Sequence, residues 1–145
     1  MEVKTTIVPR NRLHRIWPVI EPGIEIYRRK SPHQVNEAQE IFTYLVSDDG
    51  DELLVATVDG EYGGFVTFKV QELEGEVWGT MAMIFLTPVA QDKDVLPEIC
   101  RQLEDVLRSR GCNIMNYMTA RKGFKRLAPK LGFRARIIEW MKEIN

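Results

Sequence analysis

Apolar residues recur at helical spacing in the first quarter of the chain. Five of them form one stripe: Leu13, Ile16, Trp17, Ile20 and Ile24. Pro18 and the Pro22-Gly23 pair interrupt this stripe, so two short helical pieces with a kink are expected. Ser31 and Pro32 then supply a cap and a first helical residue for another helix, which the pattern ends near Ser47.

The middle of the chain is extended. Residues 3–9 already have the β-branched enrichment of a strand, and residues 51–58, 62–73 and 76–86 are three more such runs. Turn signals at Asp59-Gly60 and Glu74-Gly75 join the last three. These runs predict an antiparallel meander.

The rest of the chain alternates between helix and strand. Asp94 opens a helix that Gly111 ends, and residues 113–119 are extended again, so this strand is expected to pair in parallel with the preceding one. Thr119 caps a basic helix that Gly132 ends in a left-handed conformation, and residues 133–144 form a last strand. The predicted order is β-α-α-β-β-β-α-β-α-β. It describes an α/β (α+β) fold with a mixed, mostly antiparallel central sheet flanked by helices, in a single domain over residues 1–145.

Composition is that of a folded globular protein, with 44% apolar and 28% charged residues and a net charge of −1. This charge excludes a surface built wholly for nucleic acid. The cations are nevertheless concentrated, because no acid occurs between Val106 and Ile138. Nine bases lie there: Arg108, Arg110, Arg121, Lys122, Lys125, Arg126, Lys130, Arg134 and Arg136. One end of the fold should therefore be positive.

Other features of the sequence narrow the class of protein. Cys100 and Cys112 are too few for a disulfide framework and are expected to be buried free thiols. His14 and His33 have no metal-ligand spacing with them, so no metal site is predicted. The chain starts without an apolar signal core, and no window approaches the roughly 20 apolar residues of a membrane span. A cytoplasmic protein without membrane contact is expected.

Three stretches carry a likeness to a known family: GGFVTF, WGTMAMIFL with the loop and helix after it, and KLGF after the last helix. With the element order, they make the chain resemble the GNAT N-acetyltransferase superfamily over essentially its whole length. The resemblance implies acetyl-CoA as cofactor if the protein is active. It places the pyrophosphate at the loop and helix after the long strand, and other cofactor and catalytic contacts on the last helix.

The loop departs from the family pattern of Arg or Gln, two residues, Gly, one residue, then Gly or Ala. The matching stretch is Gln91-Asp92-Lys93-Asp94-Val95-Leu96, so both glycines are replaced. Carboxylates then lie where phosphates should bind, which is unfavourable. The resemblance implies cofactor contacts from Gln91, Lys93, Asp94 and Val95, with Lys93 best suited to a phosphate. The alternative is a structural loop in which Asp94 caps the helix.

The last helix also departs from the family pattern. The family's Asn position holds Arg121, a candidate cofactor contact, and its Tyr position holds Ala128, while Pro129 should loosen the helix. Tyr117 is the nearest phenol, though a strand tyrosine is more typical of a core. Glu76, near the start of the long strand, is the candidate general base, or else a solvated hairpin residue.

The basic helix is the remaining functional feature, with an interaction surface predicted at Lys122, Lys125, Arg126 and Lys130. Three interpretations stay open: a solvated face, a dock for an acidic protein or for nucleic acid without sequence specificity, and a clamp for the phosphates of CoA.

The chain is also similar to small GNAT-like proteins of tailed bacteriophages with degenerate CoA motifs, in its LHRIWP and NYMTARKGFKRLAPKLGF segments. The first functional hypothesis is a GNAT-fold protein with a degenerate acetyl-CoA site that acts without catalysis. It would bind phage or host proteins, in the host cytoplasm or in the virion, as a virion or assembly protein. The alternative is an acetyl-CoA-dependent N-acetyltransferase with an atypical cofactor site. The sequence predicts no oligomeric state.

Overall fold

Five strands form one sheet, and their order in space is their order along the chain. The computed structural model describes residues 1–31, 36–119 and 122–144. The strands are β1 (Val3–Val8), β2 (Glu52–Val58), β3 (Glu61–Leu73), β4 (Glu76–Leu86) and β5 (Ile114–Tyr117). All neighbours are antiparallel except β4 and β5, which are parallel as predicted. The mixed, mostly antiparallel sheet flanked by helices is therefore confirmed.

Helices cover both faces of this sheet because alternate strand residues point to opposite sides. They are α1 (Leu13–Lys30), α2 (Ala38–Val46), α3 (Val95–Ser109) and the single turn α4 (Phe124–Leu127). On one face, α3 buries Leu103 against strand residues such as Phe68. On the other, α1 and α2 bury Ile24 and Leu45 against strand residues that include Phe65. In the described residues, no helix is long and apolar enough to cross a membrane.

The predicted division of the first helix into two short pieces is wrong, because α1 runs from Leu13 to Lys30 through Pro18 and Pro22. The apolar stripe along α1 packs continuously on the sheet, and this packing outweighs the hydrogen bonds that the prolines remove. Gly23 does not break the helix either. A Cβ there would lie 2.6 Å from the Phe85 ring, so glycine permits the close approach of α1 to the sheet.

The start of the second helix was also misplaced. The backbone N–H of Ser31 donates to the carbonyl of Arg28 at 3.3 Å, so Ser31 ends α1 and does not cap α2. The described part of α2 begins at Ala38, after an extended Glu37. Pro32 and His33 lie outside the described residues.

The chain after Gly111 differs most from its prediction. Thr119 does not cap the basic helix, which begins at Phe124 and becomes a 3-10 turn over Ala128–Leu131, where Pro129 cannot continue the α-helical bonding. Leu127, an apolar residue of this turn, is exposed. Gly132 does end this region in a left-handed conformation, with φ of 84°. Residues 133–144 form neither strand nor helix, so the predicted last strand is wrong and the sheet stops at β5.

Candidate functional site

Strands β4 and β5 pair over only part of the length of β4. Their pairing runs from Trp78 with Ile114 to Met81 with Tyr117, where β5 ends, whereas β4 continues to Leu86 with no further strand partner on that side among the described residues. A β-bulge at Ala82 lies where the pairing stops, and the Met83 N–H donates to the buried hydroxyl of Thr67 at 3.0 Å. A bulge bends its strand. The side of β4 beyond Tyr117 that has no described strand partner is hereafter the wedge between β4 and β5.

Two tyrosine hydroxyls lie at the narrow end of this wedge. The hydroxyl of Tyr27, on α1, donates to the carbonyl of Ala82 at 3.2 Å, and its oxygen lies 3.4 Å from that of Tyr117. Phe124 packs edge-on against the ring of Tyr117. Sequence reasoning missed Tyr27, although it continues the apolar stripe three residues after Ile24. Two phenols, of which that of Tyr27 is buried, therefore lie beside the β4 backbone where its pairing with β5 stops.

Two backbone N–H groups at the end of the loop after β4 are already hydrogen-bonded to Asp92, one to its carboxylate and one to its backbone carbonyl. Asp92 Oδ1 accepts the N–H of Asp94 at 3.0 Å, and the Asp92 carbonyl accepts the N–H of Val95 at 3.1 Å. Asp94 does precede α3, but its side chain makes no cap bond, so the side-chain cap predicted for Asp94 is not formed. The Asp92 carboxylate closes a turn just before the helix and does not cap it. Both aspartates are exposed. The N–H groups of Asp94 and Val95 are therefore already hydrogen-bonded within the loop, whereas the N–H groups that bind an anion at the start of a helix are free of such bonds.

The other predicted cofactor contacts are dispersed. Val95 and Leu96 are buried in the core, so neither side chain faces a ligand. Gln91 and Lys93 are exposed on the loop, and the Gln91 amide lies at 3.5 Å from the Leu86 carbonyl. Arg121 lies outside the described residues. Of the described residues in this set, Gln91 and Lys93 therefore share the exposed loop, whereas the Val95 side chain lies in the core.

Glu76, the candidate base, is the first residue of β4, at the closed end of the wedge. It is exposed, and its Oε1 lies 3.4 Å from the side-chain nitrogen of Asn113. Ala82 lies six positions further along β4, which corresponds to roughly 20 Å of extended chain. Glu76 is therefore not near the two tyrosines, and its role stays a prediction.

A small acidic cavity of about 190 Å³ adjoins the wedge on the α2 side. Its polar lining includes Glu40, Tyr44, Asp51 and Thr67, and Ala82 lies at its wall. Burial raises the pKa of Asp51, although Lys69, Tyr44 and Arg10 partly oppose this shift. These groups come from α2, the following turn and two strands. Local sequence patterns carried no signal for them.

We expect Asp51→Asn to stabilise the protein at pH 7. Because the folded-state pKa of Asp51 is raised, ionising this carboxyl costs more in the folded protein than in the unfolded chain. That penalty grows as pH rises from the usual aspartate pKa of about 3.9 and is absent well below it. Urea denaturation of both proteins at pH 3 and pH 7 should show an advantage for the variant only at pH 7. The exposed Asp49→Asn is the control, and an equal advantage at both pH values would refute the assignment.

The four predicted interaction residues, hereafter the basic patch, are Lys122, Lys125, Arg126 and Lys130. All four are exposed, and no described carboxylate forms an ion pair with them. The arginines of α3 behave differently. Arg101 pairs with Glu98 at 2.6 Å and Arg108 with Glu104 at 3.0 Å. The protein thus neutralises the cations of α3 and leaves those of the basic patch free of described acids.

The two free cysteines differ in burial. Cys100 is buried, as predicted, and burial raises the pKa of its thiol to about 11, so it is unreactive at neutral pH. Cys112 is only half-buried. Among the described residues, no three histidine, cysteine or acidic side chains are placed to hold a metal ion.

Comparisons with known proteins identify the fold. No family model matches the chain, and no curated protein matches its sequence. Among solved structures, a ribosomal-protein-alanine N-acetyltransferase from Brucella melitensis biovar Abortus 2308 superposes with a TM-score of 0.73 at 18% identity, over 99% of this chain and 100% of that one. An aminoglycoside acetyltransferase from an uncultured soil metagenomic sample, in complex with sisomicin, gives 0.71 at 10% identity, over 99% and 97%.

A third structure contains the family's cofactor. The aminoglycoside N-acetyltransferase AAC(6')-Iy in complex with CoA gives a TM-score of 0.68 at 15% identity, over 99% of this chain and 96% of that one. These identities are low, so the likeness concerns the fold. It agrees with the wedge between β4 and β5, with the loop that leads into α3 and with the resemblance noted in the sequence. The chain therefore has the fold of the GNAT N-acetyltransferases.

Proposed function

We propose that this protein uses the GNAT fold as a binding scaffold and does not hold acetyl-CoA as the family does. The observation that carries this proposal is the Asp92 carboxylate, which accepts the Asp94 N–H where a phosphate oxygen would have to bind. A pyrophosphate here would also meet the exposed Asp94. Like charges a few ångströms apart repel by about 1 kcal/mol or more near a surface.

The basic patch supplies the proposed binding function. Its four cations lie on one short stretch of surface without described acidic partners, so an acidic partner would find them available. The partner we propose is an acidic protein of a bacteriophage or of its host, met in the host cytoplasm or in the virion. The likeness to phage-encoded proteins suggests this setting. Sequence-specific nucleic acid recognition is not part of the proposal, since no aromatic platform accompanies the cations.

The test has two arms. Calorimetric titration with acetyl-CoA is expected to give no saturable heat at micromolar concentrations. Titration with poly-glutamate, a probe for an acidic protein surface, is expected to show salt-sensitive binding that Lys125→Gln with Arg126→Gln weakens about tenfold. The matched control is Arg101→Gln with Arg108→Gln on α3, which removes the same charge from an ion-paired surface and should change binding less than twofold.

Each arm has a result that contradicts the proposal. Saturable acetyl-CoA binding at micromolar affinity would overturn the loss of the cofactor site. Equal weakening by the two double variants would mean that overall charge, and not the basic patch, binds the probe. A random-sequence DNA duplex is titrated in parallel, and tighter binding to it than to poly-glutamate would point to nucleic acid.

A second candidate function is an acetyl-CoA-dependent N-acetyltransferase with an atypical cofactor site. It is favoured by the intact wedge, by the Tyr27 hydroxyl on the Ala82 carbonyl and by the acidic cavity beside Ala82, which could take a cationic amine. In this reading Gln91, Lys93 and Arg121 would replace the contacts of the glycine loop, and Glu76 would act through water. The acetyl-CoA titration separates the two functions.

A further inference from the structure

The acids of this chain are separated from its lysines and arginines along the sequence. Residues 31–68 contain eight acids and no lysine or arginine, whereas residues 106–138 contain nine lysines and arginines and no acid. The net charge of the whole chain is only −1, so two copies repel each other little through their overall charge. Local surfaces of opposite sign therefore decide how copies attract each other.

The acidic stretch forms a surface on α2 and on the turn after it. Glu40, Asp48 and Asp49, hereafter the acidic patch, are exposed, and no described cation forms an ion pair with them. Tyr44 lies one helical turn after Glu40 and is followed by the turn that carries the two aspartates. Lys69 approaches the Tyr44 ring at 5.9 Å, yet it pairs with none of the three acids. The acidic patch is therefore available to cations from outside the copy.

The acidic patch and the basic patch lie on opposite faces of the sheet. Helix α2 buries Ile41 and Leu45 in the core that α1 also covers. Leu131 directly follows the basic patch and packs instead into the core beneath α3. The sheet therefore keeps the two patches of one copy apart, and neither can neutralise the other within that copy.

Each patch also exposes one large apolar side chain among its charges. Tyr44 is 44% exposed beside the acidic patch, and Leu127, which lies between Arg126 and Lys130 of the basic patch, is 41% exposed. Interfaces between proteins commonly have an apolar or aromatic centre and a polar rim, so each patch has the composition of one side of an interface. The acidic cavity of about 190 Å³, lined by Glu40 and Tyr44, adds a recess that a projecting cation can enter.

We propose that copies of this chain associate head to tail, with the basic patch of one copy docked on the acidic patch of the next. This association rests on the binding function proposed above for the basic patch, and it assigns the acidic surface of the partner to a second copy of the same chain. Because two different surfaces meet, an open assembly always keeps one free patch of each sign at its ends, and it grows until a ring closes or a filament forms. The charges are exposed, so salt weakens the contact.

Sedimentation velocity on the whole chain tests the association. At about 10 mM salt, where exposed charges act over roughly 30 Å, the wild type at about 100 µM is expected to form species larger than a dimer, and at about 1 M salt it is expected to be a monomer. Lys125→Gln with Arg126→Gln weakens the basic patch, and Asp48→Asn with Asp49→Asn weakens the acidic patch. Each double variant should be a monomer by itself. An equimolar mixture of the two should form one-to-one dimers that grow no further, since only one intact pair of patches remains.

Two matched double variants are the controls. Arg101→Gln with Arg108→Gln removes two positive charges from the ion-paired surface of α3. Glu2→Gln with Glu61→Gln removes two negative charges at the end of β2 opposite to the acidic patch. Both controls should assemble as the wild type does. All the replaced side chains are exposed, so the fold should persist in every variant, which circular dichroism verifies.

The outcomes separate this association from the binding function on which it rests. A wild type that stays monomeric at low salt but binds poly-glutamate through the basic patch would overturn the self-association and leave the binding function standing, with the acidic surface belonging to another protein. A monomeric wild type that does not bind poly-glutamate would overturn both. Assemblies that persist in either weakened variant, or a mixture that stays monomeric or grows beyond a dimer, would overturn the head-to-tail arrangement.

Discussion

Alanine in place of Gly64 is expected to lower the free energy of unfolding by about 3–5 kcal/mol. Gly64 has a φ of +135°, which other residues rarely adopt, and an added Cβ would lie 2.0 Å from the backbone carbonyl oxygen of Phe85. That oxygen belongs to β4, the neighbouring strand, so it cannot move aside as the end of a flexible side chain could. The clash between the added Cβ and this oxygen is relieved only if β3 and β4 move apart. Guanidinium chloride denaturation of the wild type and the variant measures the loss.

Gly60→Ala is the matched control for this prediction. Gly60 also has a positive φ, of 83°, but nothing lies within 4 Å of an added Cβ, so its variant reports the backbone cost alone, about 1 kcal/mol. A Gly64→Ala loss no larger than that of Gly60→Ala would show that the two strands yield easily. The position also concerns function, because Gly64 pairs with Leu86 at the end of β4, from which the loop to α3 departs.

The sheet was predictable because its signals are local. Alternating apolar runs fixed the strands, and the two hairpin turns have the positive φ angles that their sequences require: Asp59 and Gly60 at 50° and 83°, Glu74 and Gly75 at 54° and 79°. Helix α3 followed from its own apolar stripe. In each case the residues that determine the element lie within it or directly beside it.

The errors arose where distant contacts decide the structure. Pro18 and Pro22 are helix breakers by local preference, yet packing on the sheet keeps α1 intact. Residues 133–144 alternate like a strand, but a strand needs a partner, and Arg136 instead binds Trp78 and Glu74. No pattern within the segment could reveal that.

In the candidate site, too, the features that depend on local sequence were predictable and those that depend on distant contacts were not. The departure of the loop from the glycine pattern was visible at Asp94 and Leu96, because it depends only on position in the sequence. The side-chain cap predicted for Asp94 is absent, and Asp92 instead accepts the Asp94 N–H in a turn before α3, because an aspartate readily accepts from the amide two residues along the chain. Tyr27 and the acidic cavity were missed because their neighbours come from elements far apart in the chain.

Alanine in place of Arg10 is expected to lower the free energy of unfolding by about 2–3 kcal/mol. The Arg10 guanidinium donates to three backbone carbonyls, those of Leu45, Gly50 and Asp51, at 2.8–2.9 Å. Hydrogen bonds from a charged group to otherwise unpaired carbonyls are among the stronger ones in proteins. Thermal and urea denaturation of Arg10→Ala, compared with Arg12→Ala on the exposed side of the same turn, measure the contribution.

The three hydrogen bonds of Arg10 also link the stability of the fold to the acidic cavity. They connect the end of α2 to the turn that carries Asp51, and the cavity lies between that turn and the bulged part of β4. Arg10→Lys keeps the charge but can reach fewer of the carbonyls, so we expect it to recover less than half of the loss. Full recovery by lysine would mean that charge near Asp51, rather than the fork of directed bonds, is what holds the turn. In that case the Asp51→Asn advantage at pH 7 should grow in the Arg10→Ala background, whereas a purely geometric role for Arg10 leaves it unchanged.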